Sequence, residues 1–138
     1  MRFKALLAIG VTIALFHAAH AADKPEKAAT AQAQAWLALI DEGKLGESWD
    51  ATAKLFKGSI SRDAWIQKAA GARGMLGKAV SRRIKSAHFE THLPGAPDGK
   101  YVVIEFDTSF EKKKKAVETV TPMQEPDGAW RVSGYLIK

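Results

Sequence analysis

The spacing of apolar residues divides the chain into a helical part and a strand part. Between Pro25 and Pro94 there is no proline, and apolar residues recur at the intervals of three and four that are typical of α-helices. After Lys78, apolar and polar residues alternate, which is the pattern of half-buried β-strands. The change of period predicts helices first and strands second.

Three helices are predicted in the first part. The first spans residues 28–42, which are rich in Ala, Gln and Leu, and Gly43 follows it as a fitting end residue. The second spans residues 47–56, where apolar residues share one helical face. The third begins after Ser61, a favourable N-cap residue. The glycines predicted to mark its fraying end are Gly71, Gly74 and Gly77.

Four strands are predicted in the second part, over residues 80–93, 101–110, 116–123 and 130–136. In the last strand, alternation places Val132 and Leu136 on the apolar face and Tyr135 on the opposite face. The connections are short turns, which join antiparallel neighbours. The predicted fold class is therefore α+β, with three N-terminal helices packed on one face of a four-stranded antiparallel meander sheet.

The first 21 residues have the organisation of a secretory signal peptide. A short cationic start precedes an uncharged apolar run over residues 5–16, and Ala19 and Ala21 are the small residues that signal peptidase requires. The alternative is an uncleaved anchor, but this run is shorter than the roughly 20 residues that a bilayer needs. We expect cleavage between Ala21 and Ala22, a periplasmic or secreted location, and no stable membrane anchor.

Composition excludes several classes of protein. With 138 residues, 46% of them hydrophobic, the chain has the size of one globular domain, predicted over residues 28–138 after a flexible tether at 22–27. The absence of cysteine excludes disulfides, thiolate nucleophiles, cysteine zinc sites and lipid attachment through cysteine. The formal net charge of +6 falls to +4 without the signal peptide, which holds two basic residues and no acidic one. Because the chain is expected to be exported, we expect no nucleic acid partner.

One segment carries the residue types of a metal site. His88, Glu90 and His92 would share one face of the first strand. They would span about 13 Å at roughly 3.3 Å per residue, so a straight strand cannot bring all three to one ion. The segment is better interpreted as a solvated strand face, and we expect neither a metal nor another cofactor.

Glu118 is an acidic residue for which the sequence allows two roles, a member of a buried ion pair or a general acid or base. It lies between Val117 and Val120 in a strand expected to be interior to the sheet. If it faces the helices, its burial requires a cationic partner, for which the candidates are Arg82, Arg83 and Arg131. Alternatively, a buried acid in a concave site is placed to act as a general acid or base.

Basic residues and tryptophans supply the remaining candidates for ligand binding. Clustered arginines can bind carboxylate or phosphate through two hydrogen bonds, and tryptophans pack in cores or line apolar pockets. The lysine block over residues 112–115 is predicted to form a solvated hairpin tip, and the alternative is a salt-sensitive attraction to an anionic envelope surface. The candidate ligand-binding residues are Arg73, Arg83, Glu118 and Trp65.

Several motifs carry a resemblance to a bacterial family. The most specific are the proline-glycine turn over residues 93–101 and the tryptophan-to-tyrosine ending over residues 127–135, with further matches at residues 35–37 and 118–121. They resemble the family known as domain of unknown function 4019. The resemblance implies a small exported or envelope-associated domain with an NTF2-like or cystatin-like roll, and it implies no reaction. Many members look like lipoproteins or secreted proteins, and this chain lacks the lipobox cysteine.

These observations lead to one preferred function and two alternatives. The preferred function is a non-enzymatic domain of the cell envelope that binds a small molecule or another envelope protein. The first alternative is an NTF2-like enzyme that uses Glu118 as a general acid or base in an apolar pocket. The second is an assembly role, with a homodimer formed through the sheet face.

Overall fold

The computed structural model describes residues 24–138, in which four helices precede four strands. The predicted signal peptide and its cleavage position at Ala21 and Ala22 lie outside these residues. In chain order the elements are α1 (Pro25–Asp41), α2 (Leu45–Asp50), α3 (Lys54–Ser59), α4 (Arg62–Leu76), β1 (Ala79–Glu90), β2 (Tyr101–Phe110), β3 (Lys113–Gln124) and β4 (Trp130–Ile137). Among the helices of residues 24–138, none combines the length and apolar character that crossing a membrane requires.

The strands form one antiparallel sheet in the order β1-β2-β3-β4, and the helices lie on one of its faces. Helix α1 crosses all four strands, whereas α4 makes its closest backbone approach to α2. The predicted α+β class and the four-stranded antiparallel meander are therefore confirmed. The NTF2-like or cystatin-like roll implied by the resemblance stays a prediction.

The predicted second helix is in fact two short helices, α2 and α3, so the chain has four helices rather than three. The chain leaves the helical path at Ala53, whose backbone N–H donates to the carbonyl of Val132 at 2.9 Å. This hydrogen bond satisfies an amide that a continuous helix would have used internally. A contact with a distant strand thus overrides the local helical period.

The bounds of the two longer helices also differ from the prediction. Helix α1 begins at Pro25, inside the segment predicted as a tether, because proline fits the first turn, where its missing N–H has no helical partner. Helix α4 has the predicted N-cap, since the Ser61 hydroxyl accepts from the N–H of Ala64 at 3.2 Å. It continues through Gly71 and Gly74 and ends at Gly77, where φ is +74°.

The hairpin between β2 and β3 is tighter than predicted. Strand β3 begins at Lys113, so the lysine block lies mostly within the strand instead of forming a loop. Strand β1 ends at Glu90, three residues before its predicted end. The first correction matters for function, because it fixes several lysines on an ordered strand.

Pro122 lies in the inner strand β3, where proline is rare because it has no N–H to donate to a neighbouring strand. The pairing of β3 with β4 changes register at this residue, from Thr121 opposite Gly134 to Pro122 opposite Val132. The extra residue in β4 turns both Val132 and Tyr135 toward the helices. The predicted outward position of Tyr135 is therefore wrong.

The core lies between α1 and the sheet. Its largest fully buried side chains include Trp36 and Leu37 from α1 and Ile104 and Phe106 from β2. Phe56 and Trp65 add rings from α3 and α4 that contact Trp36. This apolar layer surrounds one fully buried charged residue, Glu118.

Candidate functional site

Glu118 lies on the face of β3 that packs against the helices, and its side chain is 0% exposed. Strand alternation explains its position, because Ala116 and Val120 on either side of it are buried as well. A carboxylate in such surroundings is costly unless its oxygens are paired and hydrogen-bonded.

Both oxygens of Glu118 have such partners. Oε1 accepts from Nε of Arg82 at 2.7 Å and from the hydroxyl of Thr108 at 2.6 Å. Oε2 accepts a short hydrogen bond from the hydroxyl of Tyr135, and Nη2 of Arg73 lies 3.8 Å away. The predicted arginine partner is confirmed in Arg82.

Asp41, at the last position of α1, connects the two arginines. Arg82 donates to both oxygens of its carboxylate, at 2.7 and 3.1 Å, and Nη2 of Arg73 donates to Oδ1 at 2.9 Å. Two carboxylates and two guanidinium groups from α1, α4, β1 and β3 therefore lie in one balanced group. We call Asp41, Arg73, Arg82 and Glu118 the charge cluster; Glu118 is fully buried, the arginines are partly buried, and the side chain of Asp41 is 31% exposed.

The pKa values of Tyr135 and Asp41 indicate how these two groups are protonated. Burial, together with the neighbouring Glu118 charge, raises the pKa of Tyr135 far above its ordinary value, so its hydroxyl remains a donor. Burial alone would raise the pKa of Asp41, but hydrogen bonds and charges from Arg82 and Arg73 outweigh it and lower that pKa. At neutral pH Asp41 is thus ionised, and Tyr135, which contacts the cluster through Glu118, is protonated.

An aromatic group adjoins the cluster on its helix side. The ring of Tyr135 meets Trp36 edge to face at 5.2 Å between centroids, and Trp65 lies 6.4 Å from Tyr135. Ser48 holds both indoles, since its carbonyl accepts from Nε1 of Trp36 at 2.8 Å and its hydroxyl from Nε1 of Trp65 at 2.9 Å. The two buried indole N–H groups are thereby satisfied, which fixes the rings in place.

A cleft of about 260 Å³ opens between α4 and β4, beside the aromatic group. Helix α4 makes its closest backbone contacts with α2, and the cleft lies on the side of α4 that faces β4. The cleft combines aromatic and aliphatic walls with the cations Lys68 and Arg73. Its lining residues are Ile40, Trp65, Lys68, Ala69, Ala72, Arg73, Tyr135, Leu136 and Ile137.

Arg73 belongs to both the cluster and the cleft. One of its nitrogens donates to Asp41, and its guanidinium lies 5.0 Å from the centroid of Phe110. A planar guanidinium carries five donors, so contact with Asp41 leaves others for a ligand in the cleft. The side chain is held firmly on one side and lines an open space on the other.

The structure brings three of the four candidate ligand-binding residues together: Arg73, Trp65 and Glu118. Trp65 and Arg73 line the cleft, and Glu118 lies behind Arg73. Arg83 lies on the outer face of the sheet, 3.6 Å from Asp107. It is therefore remote from Glu118, because it occupies the strand position next to Arg82 and points to the opposite face.

Arg131 is also not a partner of Glu118. It pairs with Glu125 and Asp127 at 2.8 Å each, around the turn that precedes β4. Its guanidinium thus pairs with acidic residues that are close to it in sequence and does not reach Glu118. The sequence alone did not distinguish Arg131 from Arg82, because both are arginines in predicted strands and the pattern does not show which of them reaches Glu118.

Sequence reasoning missed Asp41, Thr108, Tyr135 and Lys68 as site residues. Asp41 had a signal, since it lies four residues after Leu37 and eight after Ala33, on the same face of α1 as these two buried residues. Tyr135 had none, because its orientation depends on the register change at Pro122. Lys68 had no signal either, because nothing in its sequence surroundings distinguishes it from the other exposed lysines of the described chain.

The three residues considered for a metal do not form one site. His88 and Glu90 lie in β1, but His92 lies beyond the end of the strand, where its Nδ1 is 2.7 Å from Asp98. Within residues 24–138, no group of three or more His, Cys, Asp or Glu side chains is arranged to hold a metal ion.

Replacing Glu118 with glutamine should destabilise the protein, because Arg82 and Arg73 would lose the charge that balances them. We expect a loss of about 3 kcal/mol in the free energy of unfolding, measured by urea denaturation. The matched control is Glu105→Gln in β2, whose carboxylate lies 3.8 Å from Lys85 in a partly exposed pair. That change should cost less than about 1 kcal/mol. Equal stability of the Glu118→Gln variant and the unchanged protein would contradict the ion-pair role.

Asp41 should make the stability of the protein depend on pH. Its pKa is lowered from the ordinary 3.8, so its stabilising contribution is complete above that value and is lost as pH falls through the lower folded-state pKa. The difference in unfolding free energy between the unchanged protein and Asp41→Asn should thus be larger at pH 6 than at pH 3. A difference that does not change between these two pH values would rule out this linkage.

The sequence of this chain matches one family model. The model, described as protein of unknown function (DUF4019), matches residues 32–135, a range that contains every member of the charge cluster and ends at Tyr135. No curated protein matches the chain at a significant level. The match confirms the family predicted from the proline-glycine turn and the C-terminal motif. The chain belongs to the DUF4019 family of proteins of unknown function.

Proposed function

We propose that the protein is a non-enzymatic binding domain of the bacterial cell envelope that holds a small amphipathic anion in the cleft between α4 and β4. The observation that carries the proposal is the cleft itself, where Trp65 and Tyr135 form an aromatic wall beside Lys68 and Arg73. Small-molecule sites are typically apolar cavities with a few polar groups that orient the ligand. This cleft has both parts.

The size and the charge of the cleft determine which ligands would fit it. About 260 Å³ accommodates one or two fused rings, or an aliphatic body of similar volume. Lys68 and Arg73 are the charged groups that line it, and both are cations. A ligand with a carboxylate or sulfonate next to an apolar body would satisfy the walls and the cations together.

The environment of Glu118 supports binding over the enzymatic alternative. A general acid or base must reach a substrate proton, and Glu118 is 0% exposed with both oxygens engaged. Arg73 and Tyr135 lie between its carboxylate and the cleft, since both residues contact Glu118 and line the cleft. Glu118 therefore positions Arg73 and Tyr135 in this proposal instead of reacting.

The cleft is tested with 2-naphthoate, which has two fused rings and one carboxylate. Isothermal titration calorimetry should show binding about tenfold stronger than that of neutral 2-naphthalenemethanol, because a charge-assisted hydrogen bond is lost in the neutral compound.

Ala72→Phe should abolish binding by filling the cleft, whereas Ala70→Phe, at an exposed position of the same helix, should not. Equal affinities of the two phenylalanine variants would overturn the proposed site.

The envelope location is tested at the N-terminus. When the full chain is produced in a bacterial host, we expect the envelope fraction to contain a protein that starts at Ala22, because the sequence before it has the features of a signal peptide. Mass spectrometry of the intact protein measures this directly. Recovery of a chain that retains Arg2 and the apolar run after it would contradict cleavage.

A further inference from the structure

One end of the molecule carries a concentration of lysines. It consists of residues 74–80, where α4 passes into β1, and residues 111–115, where β2 turns into β3; we call these two segments the basic tip. The tip contains five lysines and a single acidic residue, Glu111. All five lysines are exposed: Lys78, Lys112, Lys113, Lys114 and Lys115.

The two segments of the basic tip are joined by backbone hydrogen bonds. The N–H of Glu111 donates to the carbonyl of Lys78, and the N–H of Lys112 donates to that of Leu76, each at 2.9 Å. The carboxylate of Glu111 accepts from the N–H of Lys78 at 2.7 Å. The acidic residue is thus used to hold the tip together, while the lysine side chains remain at the surface.

Two exposed apolar side chains lie on the same tip. Met75 is 79% exposed and Val80 is 68% exposed, the two highest values among the exposed large hydrophobic residues of the described chain. Water contact at such residues is unfavourable, and an apolar pair among lysines is the combination with which peripheral proteins enter a lipid interface.

A cationic groove continues from the tip along the outer face of the sheet. It has a volume of about 740 Å³, and Arg83, Lys114, Lys115 and Lys138 line it together with one carboxylate, that of Asp107. Ser81 from β1 and Ser109 from β2 also line the groove. Phosphate groups would find both charge and hydrogen-bond donors there.

We propose that the basic tip docks on a membrane surface rich in anionic phospholipid. Phosphate headgroups meet the lysines and the cationic groove, and the apolar pair Met75 and Val80 enters the interface. The complementary charge commits the surface to an anionic partner, and the apolar pair favours a lipid surface over a soluble anion. Docking of this kind is peripheral and reversible. The proposal goes beyond ligand binding in the cleft and does not depend on it.

Sedimentation with lipid vesicles tests the docking. The full protein should sediment with vesicles that contain phosphatidylglycerol and remain in the supernatant with vesicles of phosphatidylcholine alone. Added sodium chloride should weaken the binding, because exposed charges are screened at high ionic strength. Equal binding to both kinds of vesicle would overturn the proposal.

Charge reversal shows whether the lysines of the tip carry the binding. One basic residue near an anionic surface is worth about a factor of five in affinity, so the double variant Lys113→Glu, Lys115→Glu should bind at least about thirtyfold more weakly. The control is Lys54→Glu, Lys100→Glu, which changes net charge equally at exposed positions at the other end of the sheet. Equal weakening by the two double variants would mean that net charge alone acts, and it would overturn docking through the tip.

The apolar pair separates a lipid surface from a soluble polyanion. The variant Met75→Gln, Val80→Thr keeps helix and strand propensities and should weaken vesicle binding about tenfold, because apolar contact with the interface is lost. Leu55→Gln, on α3, is the control and should have no effect. Unchanged vesicle binding in the apolar variant, or equally tight binding of the unchanged protein to soluble polyglutamate, would overturn the lipid proposal in favour of docking to an acidic protein.

Discussion

A carboxylate that is removed from water must be balanced by opposite charge and by hydrogen bonds. In this protein the carboxylate is that of Glu118, and the groups that balance it come from both the sheet and the helices. Arg82 in β1 pairs directly with the Glu118 carboxylate, and Arg73 in α4 approaches that carboxylate from the helical layer. Asp41 then balances the two arginines from the end of α1. These charges act on the position of α4 together with the packing of Trp65 on Trp36 and the hydrogen bond from the N–H of Lys112 to the carbonyl of Leu76.

This arrangement explains why an open cleft and a rigid wall occur side by side. Close packing of α4 on β4 would have closed the cleft, and weak attachment of α4 would have left its side chains disordered. Pairing through Arg73 avoids both outcomes, because a long side chain can hold the helix at a distance. Binding groups on rigid elements, supported from behind by hydrogen bonds, are the arrangement that selective sites require.

The sequence predicted those parts of the structure that depend on local periodicity. Alternation correctly placed Glu118 in an inner strand and left its direction open. For an inward-facing Glu118, the cost of a buried charge called for a cationic partner, and Arg82 was one of three candidates. The sequence could not predict contacts between residues that are distant in sequence. The helix break at Ala53 depends on a hydrogen bond to Val132, and the direction of Tyr135 depends on a proline in another strand. The cleft could not be predicted either, since its volume is the space between elements and no single segment encodes it.

The order of the cluster along the chain has a consequence for the cooperativity of the fold. Asp41, Arg73 and Arg82 all precede Glu118 in the sequence, and Tyr135 lies in β4. The pairing of β3 with β4 brings Tyr135 to Glu118 and also places its ring against Trp36. Loss of that one strand pairing would therefore weaken the charge cluster and the aromatic group together.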